Sequence, residues 1–166
     1  RSMDGVDLGE LRPAIEKLLE NPDARARAAV GSLYRQLSYE EIKPFLPAVH
    51  KAIVERAPSG VMFSNGIRLE GLELLARHRI REGMSLCLDI LDLDSWGKRH
   101  RAMRCLKILR NYGGAAKPLL PRLREVESQL REHREQKALA THIEEISSLI
   151  DFIENAPTGE PLRPLR

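Results

Sequence analysis

Aromatic residues are scarce in this 166-residue chain: three Phe, three Tyr and one Trp, 4% of the total. A fold that fills its core with large rings, or a surface that stacks successive bases, has little to draw on here. Cysteine is nearly absent too. Cys87 and Cys105 have no CxxC spacing, and both lie among apolar residues. Two reduced, buried thiols are expected rather than a disulfide. No apolar run approaches the roughly 18 residues that a membrane span needs. No apolar h-region follows the opening Arg-Ser-Met-Asp. Membrane association is therefore not expected; the compartment is left open, with the cytoplasm as the first expectation. Also missing are GxSxG, HExxH, a Walker-type glycine loop and GxGxxG. Among His50, His78, His100, His133 and His142 no pair is spaced i, i+4. No catalytic residue, metal or cofactor is expected, and the chain does not read as an enzyme.

What is present is charge and helix formers. Charged residues reach 31%, with Leu, Ala, Glu and Arg dominant and Val and Thr sparse, which favours helix over sheet. The net charge is a mild +3, and only seven of the 27 basic residues are Lys. Arginine suits planar, two-point contacts better than lysine does.

A repeat organises the chain. Lys43-Pro44-Phe45-Leu46-Pro47-Ala48-Val49 returns, 74 positions on, as Lys117-Pro118-Leu119-Leu120-Pro121-Arg122-Leu123. Self-similarity at a long spacing marks a repeat architecture. Apolar periodicity predicts helices over 10–20, from Pro22 to Leu37, from Pro47 to Arg56, and over 65–79, 82–92, 95–111, 118–133 and 136–154. Ser38-Tyr39-Glu40-Glu41 matches a capping box. In the last helix Leu139, Ile143, Ile146, Ile150 and Ile153 form one apolar stripe. The middle helix leaves only Ser85, Asp89 and Asp92 as a polar stripe, so it should be packed on most sides. Residues 8–155 read as one domain and 156–166 as an irregular tail with three prolines.

The first helix of each pair places a small residue four before a Leu: Ala29/Leu33, Gly71/Leu75 and Cys105/Leu109. Arg25, Arg68 and Arg101 stand three or four residues ahead of the small one, and Leu46-Pro47 and Leu120-Pro121 open second helices. These features resemble the HEAT-repeat family of α-solenoids over about 23–132. The resemblance implies an all-α stack of about three helical hairpins with flanking helices. It also implies a non-catalytic scaffold or adaptor that binds a protein partner and belongs to a larger protein. Metal-dependent hydroxylases built on such repeats use His-Glu dipeptides, and this chain has none.

Candidate partner residues are His50, Lys51, Arg124 and Glu125, at matching positions of second helices, and the carboxylates Asp89 and Asp92. Asp94 reads as the cap of a helix starting at Ser95. The alternative reading is nucleic-acid binding. Residues 98–110 carry six basic residues and no acid, with Arg99, Arg101, Arg104 and Lys107 as candidate phosphate contacts. The chain offers only Trp96 for base stacking beside them. The basic residues are expected to pair with Glu and Asp of neighbouring helices.

Overall fold

The computed structural model describes residues 8–34 and 37–166. Every regular element among them is helical, and the extended pairings are two isolated bridges, Asp23 with Ser59 and Ile80 with Arg163. The chain forms two compact units. One runs up to His78 and includes Leu165–Arg166; the other is Arg79–Pro164.

The first unit holds α1 (Leu8–Leu19), α2 (Ala24–Ala28), α3 (Gly31–Tyr34), α4 (Tyr39–Ile42), α5 (Leu46–Val54) and α6 (Ser64–Arg77). Helices α5, α2 and α3 pack on α6, and α1 packs on α5. Leu19, Ile42, Leu46, Ile53, Ile67, Leu72 and Leu75 are fully buried. Gly71 sets how closely α5 and α6 approach. A Cβ there would lie 2.7 Å from Ile53 Cγ1 and 2.8 Å from Cδ1, inside any normal contact. A small residue is expected at this position, and the close approach of Ile53 requires one.

The second unit holds α7 (Arg81–Asp89), α8 (Lys98–Arg110), α9 (Leu120–Glu132) and α10 (Ala140–Asn155). Helix α8 packs on α7 and α10, and α9 packs on α10. Met84, Leu86, Cys87, Leu88, Ile90 and Leu91 are all buried, as the narrow polar stripe of the middle helix requires. Leu139, Ile146, Ile150 and Ile153 of the terminal stripe are buried as well. Both cysteines are free and buried, and burial pushes the Cys87 thiol well up. Tyr112 is fully buried and its hydroxyl donates to the Ile80 carbonyl at 2.9 Å.

The 74-residue repeat is realised the same way twice. A 3₁₀ turn, Lys43–Phe45 or Gly113–Leu119, runs straight into a helix opening on Leu-Pro. Proline near the first helical position costs nothing, because that amide has no partner in the helix. The capping box at Ser38 also forms: Ser38 N–H donates to Glu41 Oε2 at 2.7 Å and Glu41 N–H donates to Ser38 Oγ at 3.4 Å.

Several boundaries depart from expectation. The helix expected from Pro22 to Leu37 is broken at Ala29–Val30 into α2 and α3, and Asp23 caps α2 by accepting from Arg25 N–H. Ala29 is exposed and Leu33 only half-buried, so that pair is not a buried one. Ala24 and Gly31 are the buried small residues here, and the missing side chain of Gly31 leaves room for the Glu70 carboxylate of α6. Residues 136–139 are 3₁₀ and precede α10. The tail beyond Asn155 has no helix, yet it is tied down. Arg163 N–H donates to Arg79 O and Arg81 N–H donates to Arg163 O, each at 2.9 Å, while Arg79 Nη2 donates to Glu160 O at 2.7 Å.

Among the described residues three arginines lie in the interior: Arg27, Arg68 and Arg101. Each points its guanidinium at backbone carbonyls at, or in the turn just beyond, the end of another helix. Arg27 donates to Asn21 O at 2.6 Å and Glu55 O at 2.7 Å, and Arg68 donates to Ile53 O at 2.8 Å. The last carbonyls of a helix have no partner within it, and a buried one left bare costs about 1–3 kcal/mol. The first member of this series is Arg27; Arg25, the residue expected there, is exposed and pairs with Asp23 at 2.9 Å.

Candidate functional site

The turn joining α7 to α8, residues 90–97, is built around one side chain. Arg101 is 3% exposed. Its Nε donates to Leu91 O at 3.1 Å, Nη1 to Trp96 O at 2.9 Å, and Nη2 to Asp92 O at 2.5 Å and Ser95 Oγ at 2.7 Å. Asp92 adds a second layer. It takes a left-handed conformation, φ 36°, and its Oδ1 accepts from the amides of Asp94 at 3.1 Å and Ser95 at 3.3 Å. Short polar residues tolerate that region because their side chains bond the local backbone. The Ser95 hydroxyl, then the Asp94 and Ser95 amides and the nearby Arg101 charge, hold the Asp92 carboxyl below its usual pKa. Gly97, at φ 77°, turns the chain into α8.

This geometry corrects three expectations. Helix α7 stops at Asp89 rather than residue 92, because Asp92 leaves the right-handed region. Helix α8 starts at Lys98 rather than 95, with Gly97 at its N-cap, so Asp94 caps nothing there. Arg101, expected among phosphate contacts, is an internal clamp whose donors are committed to the turn.

The clamped turn presents Trp96, the single tryptophan, at 80% exposure. It lines a surface cleft of about 570 Å³ with Asp94, Ser95, Lys98, Arg99, His100 and Glu135. Glu135 sits among cations: Lys98 Nζ at 2.7 Å, Arg99 Nη2 at 3.5 Å and Arg134 Nε at 3.9 Å. The hydrogen bond from Lys98, with the charges of Lys98 and Arg99, holds the Glu135 carboxyl below its usual pKa. From behind, buried His142 of α10 meets the Arg99 carbonyl through Nε2 at 2.7 Å.

The other expected residues are dispersed. Lys98 and Arg99 pair with Glu135, and Arg110 pairs with Glu145 at 3.0 Å, so half of the basic helix is met by acids of neighbouring elements. Arg104 is half-buried and Lys107 exposed on α8. Asp89 pairs with Arg122 at 2.7 Å, and Arg124 pairs with Glu154. Glu125 is exposed on α9. His50 and Lys51 belong to the first unit. There they line a cleft of about 460 Å³ with Arg12, Glu16 and Glu20, and Lys51 meets Glu20 at 3.5 Å. Trp96 is expected only as a lone stacking platform. The signal for more is Asp92-Leu93-Asp94-Ser95-Trp96-Gly97: turn-forming residues on both sides of an indole keep it out of any apolar face. Compared with known protein families, curated proteins and solved structures, the chain shows no significant match.

Proposed function

We propose that this chain is a HEAT-like α-solenoid segment that acts as a non-catalytic protein-interaction module, with the Trp96 cleft as a docking surface. The observation that carries the reading is the 80% exposure of Trp96 on a turn fixed by the buried Arg101. A large apolar side chain held outward on a rigid backbone loses little entropy when a partner covers it. Tryptophan and arginine are the residues most often found at the energetic centre of protein interfaces. The solenoid part of the reading is supported by the recurrence of buried Arg27, Arg68 and Arg101, and by the twice-used 3₁₀-to-Leu-Pro helix start. Nucleic-acid binding is the weaker alternative, because Arg101 is committed inside and Lys98, Arg99 and Arg110 meet carboxylates.

The test is a photo-crosslinking side chain placed at exposed His100 of the same cleft in the whole chain, with a control at exposed Glu144 of α10. Discrete, nuclease-resistant protein adducts from position 100 and none from 144 are the expected result. Adducts that vanish on nuclease treatment, or equal yields from both positions, sink the proposal.

A further inference from the structure

We infer that the Trp96 cleft takes an acidic peptide segment carrying an apolar side chain, the apolar group covering the indole and its neighbouring carboxylates meeting Arg99 and Arg134. The inference rests on the docking reading and adds the partner's chemistry to it.

The charge balance around the indole points this way. Asp94 lines the cleft, and the other carboxylate there, Glu135, faces three cations. Its close contact goes to Lys98, which is largely buried, 14% exposed. Arg99 and Arg134 stand at 3.5 and 3.9 Å, beyond a good hydrogen bond, and both side chains face solvent. A guanidinium has five N–H donors in a planar fork that fits a carboxylate at two points. Each of these two arginines therefore keeps donors for an incoming carboxylate. The next turns of α8 add Arg104 and Lys107, and α8 itself bears no acid.

The same cleft disfavours a phosphate polymer. Asp94 and Glu135 both line it. A nucleic-acid strand places a negative charge at every nucleotide and meets those two carboxylates, whereas a peptide can set its charges on the arginines and pass the acids with neutral residues. One indole also stacks only one base.

Calorimetric titration of the full chain tests this with three probes: a short peptide of alternating Glu and Leu, its Gln-and-Leu counterpart, and an oligothymidylate. The Glu peptide should bind about tenfold or more tightly than the Gln peptide, and its affinity should fall as salt rises from about 0.05 to about 0.5 M. The Arg99→Glu, Arg134→Glu double variant should lose that preference while keeping the parent's helical circular dichroism and melting temperature. Equal binding of the Glu and Gln peptides, both lost in Trp96→Ala, overturns the acidic inference and leaves the docking reading standing. Glu-peptide binding unaltered by Trp96→Ala removes the docking reading itself. Failure of the Glu peptide to bind, or tighter binding of oligothymidylate, overturns the inference outright.

Discussion

Two interhelical connections of similar length solve one problem differently. Between α5 and α6 the chain is held mainly by backbone. Ala24 N–H donates to Ser59 O and Ser59 N–H donates to Pro22 O, both at 3.1 Å, with Arg27 gripping Glu55 O. Between α7 and α8 no such pairing exists among the described residues, and one guanidinium gathers the turn instead. The first connection exposes Val61, Met62 and Phe63, with Arg25 stacked over the Phe63 ring at 5.7 Å. The second exposes one indole in a cleft lined by Lys98 and Arg99 together with Asp94 and Glu135. A backbone-paired connection leaves its side chains free to vary, whereas a side-chain clamp ties the shape of the turn to one residue. The second connection should therefore be the more fragile and the more selective of the two.

The largest expected effect is the loss of the clamp. Arg101→Met leaves the buried Leu91 carbonyl and the part-buried carbonyls of Asp92 and Trp96 without their donor and should cost about 3–5 kcal/mol in chemical denaturation. Arg27→Met strips two carbonyls and should cost about 2–4 kcal/mol. The comparison breaks if Arg101→Met comes out the milder of the pair.

Next in size is the close approach in the first unit. Gly71→Ala gains up to about 1 kcal/mol of helix propensity, but its Cβ collides with Ile53, at a cost of about 1–3 kcal/mol. A net loss of melting temperature is expected, and Ile53→Val in the same chain should recover part of it. Gly71→Ala raising the melting temperature on its own would show that the contact is soft.

Acid should act on the second connection selectively. The Asp92 carboxyl titrates lower folded than unfolded, so its contribution is present above the unfolded value of about 4 and is lost as pH falls through the lower folded one. Asp92→Asn should lower the melting temperature at pH 7 and shrink the parent's fall in melting temperature between about pH 4 and about pH 2. Parallel melting-temperature profiles for parent and variant would count against this. Smallest of all, Trp96→Ala and Met62→Ser should each move stability by no more than about 0.5 kcal/mol, because both side chains already face water.

Helical class, the packed middle helix, the capping box at Ser38 and the repeated Leu-Pro starts were legible because each is a local pattern with one physical solution. The limits of α7 and α8 were not. Asp92 reads as one more residue on a helical stripe until its side chain is seen bonding the amides of Asp94 and Ser95, a choice made by the turn as a whole. The basic run 98–110 was legible as charge but not as geometry. Helical spacing puts Arg101 on the same side as Cys105 and away from Arg104, yet only packing shows that carbonyls wait for it there. Arg25 and Arg27 could not be told apart by spacing, since the expected helix ran on through Ala29, where it breaks. Trp96 reads from the sequence only as a single stacking platform beside basic residues; the clamp that holds its turn comes from Arg101, which packing alone shows.

The placement of Trp96 also has a practical bearing on anyone melting this protein. Its indole already sits in water, so intrinsic emission will hardly shift as the chain unravels, and a flat trace would be mistaken for unusual resistance to denaturant. The sealed phenol of Tyr112 is the chromophore to follow, by near-ultraviolet absorbance, since it passes from complete enclosure to solvent when the second unit opens.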